Sequence, residues 1–228
     1  MERNEPDRTP LTIEHLFDKG HTEAWELLAK FTYPWEVLAK IKDFILELGP
    51  RLDENEYNRI SDDVWIHKSA TVAPSAYIGN SIIIGSGTEI RHCAFLRGPA
   101  LIGCNAVVGN STELKNVILF DNVQVPHFNY IGDSILGYKA HMGAGSITSN
   151  VKSDSSLVTV AFEGTKLETG LKKFGAILGD GVEIGCNSVL NPGSVIGKYT
   201  NIYPLSSVRG FVPHGSIYKN QNEIVTKV

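Results

Sequence analysis

A histidine, a tyrosine and a carboxylate stand close together in the run His127-Phe128-Asn129-Tyr130-Ile131-Gly132-Asp133. An imidazole with its ordinary pKa near ~6.5 suits proton removal around neutrality. The run leads into Met142-Gly143-Ala144-Gly145-Ser146 and then Asn150. Gly-Ala-Gly is what a tight corner uses, and Asn tolerates turn geometry. Upstream, Arg97 and Lys115 offer two ways to hold a phosphate, a planar bidentate fork and a point charge. Each of these side chains also suits a solvated corner. His67, His92 and His141 add further imidazoles, while Cys93, Cys104 and Cys186 are widely separated and lack a CxxC spacing. That count argues against a disulfide framework and a structural zinc site, and fits a reducing cytosol. We expect no metal.

The elements that must position these residues follow from one period. Ile66, Val72, Ile78, Ile84, Ile90, Leu96, Ile102, Val108 and Leu114 lie six residues apart without a break. Leu178, Ile184, Leu190, Ile196, Ile202 and Val208 repeat the spacing. Between the arrays the register shortens by one at Leu119, resumes at Val125 and Ile131, shortens again at Leu136 and resumes at Met142. A six-residue unit is a short strand and a turn, too small to bury anything alone. Stacked units bury a continuous aliphatic ladder and satisfy one another's backbone groups. The reading is an all-β fold, a parallel β-helix of hexapeptide repeats over 64–213, with three hexads per turn and roughly seven turns at ~4.8 Å spacing. A β-sandwich does not account for an unbroken fixed period.

Residues 1–63 read as a helical N-terminal segment. Thr9-Pro10 offers a helix start with Gly20 as its stop, and Thr22 to Lys30 fits a second short helix. From Pro34, apolar residues Val37, Leu38, Ile41, Phe44, Ile45 and Leu48 make one face, closed by Gly49-Pro50. So short a helix is marginal alone and must dock on the array or on a partner chain. Trp25, Trp35 and Trp65 are expected to pack it onto the first turn. The six-fold pattern vanishes over 151–175, which reads as an extruded loop or hairpin. Residues 214–228 are expected to cap the last turn. The polar start from Met1 has no signal-peptide character, and no apolar run is long enough to span a membrane. A net charge of -4 without a basic run predicts no nucleic-acid partner. The expected location is cytoplasmic.

Leu96-Arg97-Gly98-Pro99, Glu113-Leu114-Lys115-Asn116, Val125 to Asp133, Gly143 to Asn150 and Lys173 to Gly179 carry a resemblance. Over about Ile66 to Lys219 the chain resembles the acetyltransferase half of bifunctional N-acetylglucosamine-1-phosphate uridyltransferases and their archaeal sugar-1-phosphate nucleotidylyltransferase/acetyltransferase relatives. The resemblance implies a left-handed coil, a homotrimer with sites between subunits, acetyl-CoA as acyl donor and an amino-sugar 1-phosphate as acceptor. By the same resemblance His127 is the base, the Ala144 N–H is the oxyanion donor, and Arg97, Glu113, Lys115, Tyr130 and His141 contact the sugar phosphate. Asn150, Gly175 and Ala176 fall to the cofactor. His141 stands where the family commonly has Asn, and Val151-Lys152 replaces a Tyr and an acidic residue. About 65 residues precede the repeats, with no glycine-rich nucleotide loop, so no pyrophosphorylase activity is expected from the chain. The alternative is a non-catalytic trimeric scaffold or regulatory paralogue. A γ-class carbonic anhydrase would need a His-x4-His pair, which is absent.

Overall fold

Because each unit is one strand and one corner, chain direction advances around a three-sided column and every strand pairs in parallel with its copy one turn on. The computed structural model, which describes residues 6–227, shows this parallel β-solenoid. Met1 to Glu5, the start of the polar stretch, lie outside the described residues. The first face begins with Val64–His67, Ile82–Ile84 and Ala100–Ile102. The second begins with Thr71–Val72 and Glu89–Ile90, and the third with Tyr77–Ile78 and Phe95–Leu96. The ladder residues point inward: Ile84, Ile90, Leu96, Val108 and Leu114 are at most 1% exposed. Seven turns are complete and an eighth is begun by Phe211–Val212 and Ser216–Asn220.

The two register slips have a definite geometry. Ile84 stands beside Ile102, a turn of eighteen residues. Ile102 stands beside Leu119, and Leu119 beside Leu136, turns of seventeen. There the corner between the third and first faces is drawn so tight that Glu113–Leu119 and Tyr130–Leu136 run through it as single strands. Asn116 and Asp133 take the bend with φ of 57° and 47°, a conformation Asn and Asp tolerate better than most residues.

The first face is buried on both sides. Its outward residues Ile83, Leu101, Ile118, Ile135, Ile177 and Val195 are at most 1% exposed. Helix Ile41–Leu48 and the 3-10 segment Pro34–Lys40 cover it, with Trp35 against Phe174 and Phe17 against Phe120. Beyond them the excursion folds as an antiparallel hairpin, Thr159–Phe162 with Thr165–Glu168, and lays Phe162 on Phe211. Each aliphatic so covered contributes about 1.5–3 kcal/mol. The array, then, is what the N-terminal segment docks on.

That segment is less helical than its sequence suggests. The expected first helix is a 3-10 turn at Thr9–Leu11 and one α-turn at Ile13–Leu16. Phe17 then extends to reach Phe120, and the Asp18 N–H meets Asp180 Oδ2 at 2.6 Å. The second is only Trp25–Leu28. Tyr57–Ser61, within the stretch read as helical, is a strand antiparallel to Val64–His67; it covers the free edge of the first rung, a stronger demand than local propensity. Trp65 does pack as expected, with Gly49 seated on its ring so closely that a Cβ would lie 2.4 Å from it. At the far end Glu223–Thr226 folds back antiparallel on Ser216–Asn220.

Candidate active site

Two corners flank the third face. At the first, strand Gln124–His127 ends on His127, paired in register with Asn110. Phe128 turns the chain with φ 53°, and the next side chain, Asn129, points inward and is 2% exposed. Its column is otherwise Ala76, Ala94, Thr112, Ser146, Ser188 and Ser206, so this amide replaces small groups. Asn129 Oδ1 accepts the His127 N–H at 3.1 Å. Asn129 Nδ2 donates to Gly143 O at 2.9 Å, Ser146 O at 3.1 Å and Ser146 Oγ at 3.2 Å. The Gly145 N–H donates to His127 O at 3.0 Å. One buried amide thus staples the His127 corner to the Gly143-Ala144-Gly145 corner one rung above. Among the described residues, the exposed His127 ring makes no hydrogen bond and the Ala144 N–H meets no acceptor. An imidazole able to take a proton and a fixed, unengaged N–H stand on adjacent rungs.

The second corner is the tight one, and Asp133 is its hub. The carboxylate is 4% exposed as a residue and accepts Lys115 Nζ on both oxygens at 2.9 Å. It also accepts Asn116 Nδ2 at 2.9 Å and Asn150 Nδ2 at 2.5 Å. Asn116 Nδ2 reaches Leu38 O at 3.1 Å, which ties the N-terminal segment to the hub. Asn150 Nδ2 also donates to Tyr130 Oη at 3.3 Å. Burial first, then the charges of Glu113 and Asp133, push the Tyr130 hydroxyl above its ordinary range. Tyr130 therefore keeps its proton and can donate it to a ligand. Arg97 lies one turn below Glu113 and two below Tyr130; it bonds Glu113 Oε1 at 2.8 Å, which raises its affinity for its proton further.

The remaining expected residues fall elsewhere. His141 sits on the second face and bonds Glu183 Oε2 through Nδ1 at 2.7 Å, apart from His127. Gly175 and Ala176 are buried where the chain re-enters the column: the Gly175 N–H meets Asp133 O at 2.8 Å and the Ala176 N–H meets Ser134 Oγ at 3.0 Å. They close the excursion, and this chain leaves them no open face for a cofactor. His67 bonds Ser69 and His92 bonds Ser75. No group of three or more possible metal ligands occurs among the described residues, and no described helix is long and apolar enough to cross a membrane. Asn129, Asn116 and the role of Asp133 were missed in the sequence. The signals were present: an amide in a column of small residues, and register slips at the corners of Asn116 and Asp133.

No family model matches the chain. The bifunctional protein GlmU of Methanococcus vannielii is 33% identical over 196 residues, 85% of this chain and 47% of that protein. The GlmU of Methanococcus maripaludis is 30% identical over 99% of this chain and 56% of its own length. A bifunctional sugar-1-phosphate nucleotidylyltransferase/acetyltransferase of Sulfurisphaera tokodaii is 31% identical over 82% of this chain and 47% of its own. Among solved structures, AntD, an N-acyltransferase of Bacillus cereus, covers 75% of this chain and 91% of its own at 18% identity and a TM-score of 0.36. The chain is a hexapeptide-repeat member of the GlmU-type proteins and spans about half the length of the relatives it matches.

Proposed function

We propose that the chain is an N-acetyltransferase that moves acetyl from acetyl-CoA to the amine of an amino-sugar 1-phosphate. The observation that carries this reading is the free His127 ring beside the unengaged Ala144 N–H. The amine nitrogen attacks the thioester carbon while His127 removes its proton. The Ala144 N–H meets the oxygen that becomes negative in the tetrahedral intermediate. That intermediate collapses with loss of the C–S bond, the thiolate takes the proton held by His127, and the products are the acetamide and CoA thiol. Tyr130 donates to the sugar, while Arg97 and Lys115 face its phosphate. Sites between three parallel copies follow from the family resemblance, and the two faces left uncovered by the N-terminal segment are the ones available for such packing.

A second reading, a non-catalytic trimeric scaffold, draws on one observation: Arg97 and Lys115 are already paired with Glu113 and Asp133. A thiol-release assay with acetyl-CoA and glucosamine 1-phosphate separates the two. The enzyme reading expects turnover, and a loss of at least about a hundredfold in His127→Ala. An unchanged rate in that variant would remove His127 from the mechanism, and no release by the unaltered chain would favour the scaffold.

A further inference from the structure

The outward residues of the third face form one register column: Tyr77, Phe95, Glu113, Tyr130. Its lower end is aromatic and uncovered, with Tyr77 62% and Phe95 40% exposed. The matching rungs of the second face carry Thr71, Glu89 and Val107, with no ring. Tyr77 and Phe95 meet edge to face with centroids 5.4 Å apart. The Arg97 guanidinium carbon lies 6.0 Å from the Phe95 centroid. With Gly79 and Asn80 these residues border a shallow recess of about 550 Å³. Exposed rings beside a guanidinium are a surface on which a nucleobase stacks.

Spacing supplies the second half of the case. Rungs are about 4.8 Å apart, which puts Phe95 about 10 Å and Tyr77 about 14 Å below Tyr130. A sugar lying against Tyr130 and His127 with a single phosphate ends near Arg97 and leaves the rings bare. A pyrophosphate and a ribose carry a base onto them. Arg97 uses only NH1 on Glu113, and a guanidinium has five N–H donors in all. It therefore retains donors for phosphate oxygens passing between sugar and base.

We propose that the acceptor is a nucleoside-diphosphate amino sugar, with its base on Tyr77 and Phe95 and its pyrophosphate on Arg97. This rests on the acetyl-transfer reading and makes its amino-sugar 1-phosphate the inner part of a larger acceptor, whose phosphate is joined to a nucleoside monophosphate. The test has a binding arm and a turnover arm, both on the full chain. In the first, UDP is titrated by calorimetry into the unaltered chain and into Tyr77→Ala/Phe95→Ala. In the second, UDP-glucosamine and glucosamine 1-phosphate compete as acceptors in the thiol-release assay. We expect the double variant to bind UDP at least about tenfold more weakly, the scale of one lost stacking contact. KM should be at least about tenfold lower for UDP-glucosamine than for the sugar phosphate, and the variant should lose that advantage while its kcat/KM for glucosamine 1-phosphate stays unchanged. Tyr77→Ser alone, at the more exposed ring, covers the case of a misfolded double variant and should give part of the same loss. UDP binding that ignores both rings overturns the proposal. So does good turnover of glucosamine 1-phosphate without any UDP affinity, which leaves the acetyl-transfer reading intact. Ring-dependent UDP binding with no thiol release supports the base platform and overturns that reading instead. A native oligomer that falls to monomers in the double variant assigns the rings to a contact between copies and overturns the platform.

Discussion

At the His127 corner the main chain is tied down and the side chain is left free; at the Asp133 corner, across the same face, the side chains are tied to one another. Asn129 spends its amide on His127 and on the carbonyls of the next rung, so the imidazole is held only through its backbone. Asp133 gathers Lys115, Asn116 and Asn150 into one buried network. The first arrangement suits a group that must change protonation state. The second suits a wall that must keep its shape while a ligand comes and goes. Having both on one face is what distinguishes these turns from the plain turns beneath them.

The comparison breaks most plainly if the free side chain proves dispensable. Beyond its effect on rate, His127→Ala should leave the thermal midpoint within about 1 °C of the unaltered chain, because the ring contributes no hydrogen bond. A large fall in midpoint would mean the ring is structural. The tied side chains should behave oppositely. Asp133→Ala leaves Lys115 and two amides without their acceptor and should cost about 3 kcal/mol in urea unfolding. A cost below about 1 kcal/mol would show that the network is incidental. Asn129→Ala tests the link between the corners. It strips a donor from buried carbonyls, so stability should fall by about 2 kcal/mol. Because Asn129 only positions His127, kcat should drop about tenfold with KM little changed, and Asn129→Asp, which keeps the acceptor but not the donors, should not restore it. A variant that lost stability but kept kcat would separate the staple from the chemistry.

The smallest effect concerns a third corner, where Asp180 accepts the Asp18 and Tyr138 N–H groups. Burial raises its pKa despite those two bonds and Lys198 nearby. A raised folded value means the native state holds the proton more tightly than the unfolded chain does. The contribution of Asp180 is then fully present below about pH 3.8, its unfolded value, and is lost as pH rises through the folded one. Urea unfolding of the unaltered chain compared with Asp180→Asn across that window should show the difference between them shifting in that direction. A difference independent of pH would place the carboxylate's titration elsewhere.

Much of the architecture was legible because one structural demand repeats: every sixth residue must fill the interior, so Ile66 to Leu114 announce the column without help from distant contacts. The cover on the first face was legible in principle as well. Ile83, Leu101, Ile118 and Ile135 are apolar where the other faces carry Glu89, Gln124 or Glu113, a second ladder that only makes sense beneath something else. Local signals failed where tertiary need overrode them. Tyr57–Ser61 became a strand because an open edge required a partner, and Phe17 left its helix to reach Phe120. At the site, the charges of Arg97 and Lys115 were evident, but their partners Glu113 and Asp133 lie about one turn away in sequence and were not matched to them. The slips at Leu119 and Leu136 are visible in the sequence only as irregularities of period; in the structure they mark the bends at which Asn116 and Asp133 enter the network.

Each terminus of the column finishes in a strand running against the others, Tyr57–Ser61 on the first rung and Glu223–Thr226 on the last. A stack whose members all point one way offers a further copy an invitation to continue it, head upon tail, into a fibre. Reversing the final member at both poles withdraws that invitation on the edges so covered. On those edges the column is closed to lengthwise growth by strand pairing, while the exposed His127 corner lies along its side, in the middle of the stack.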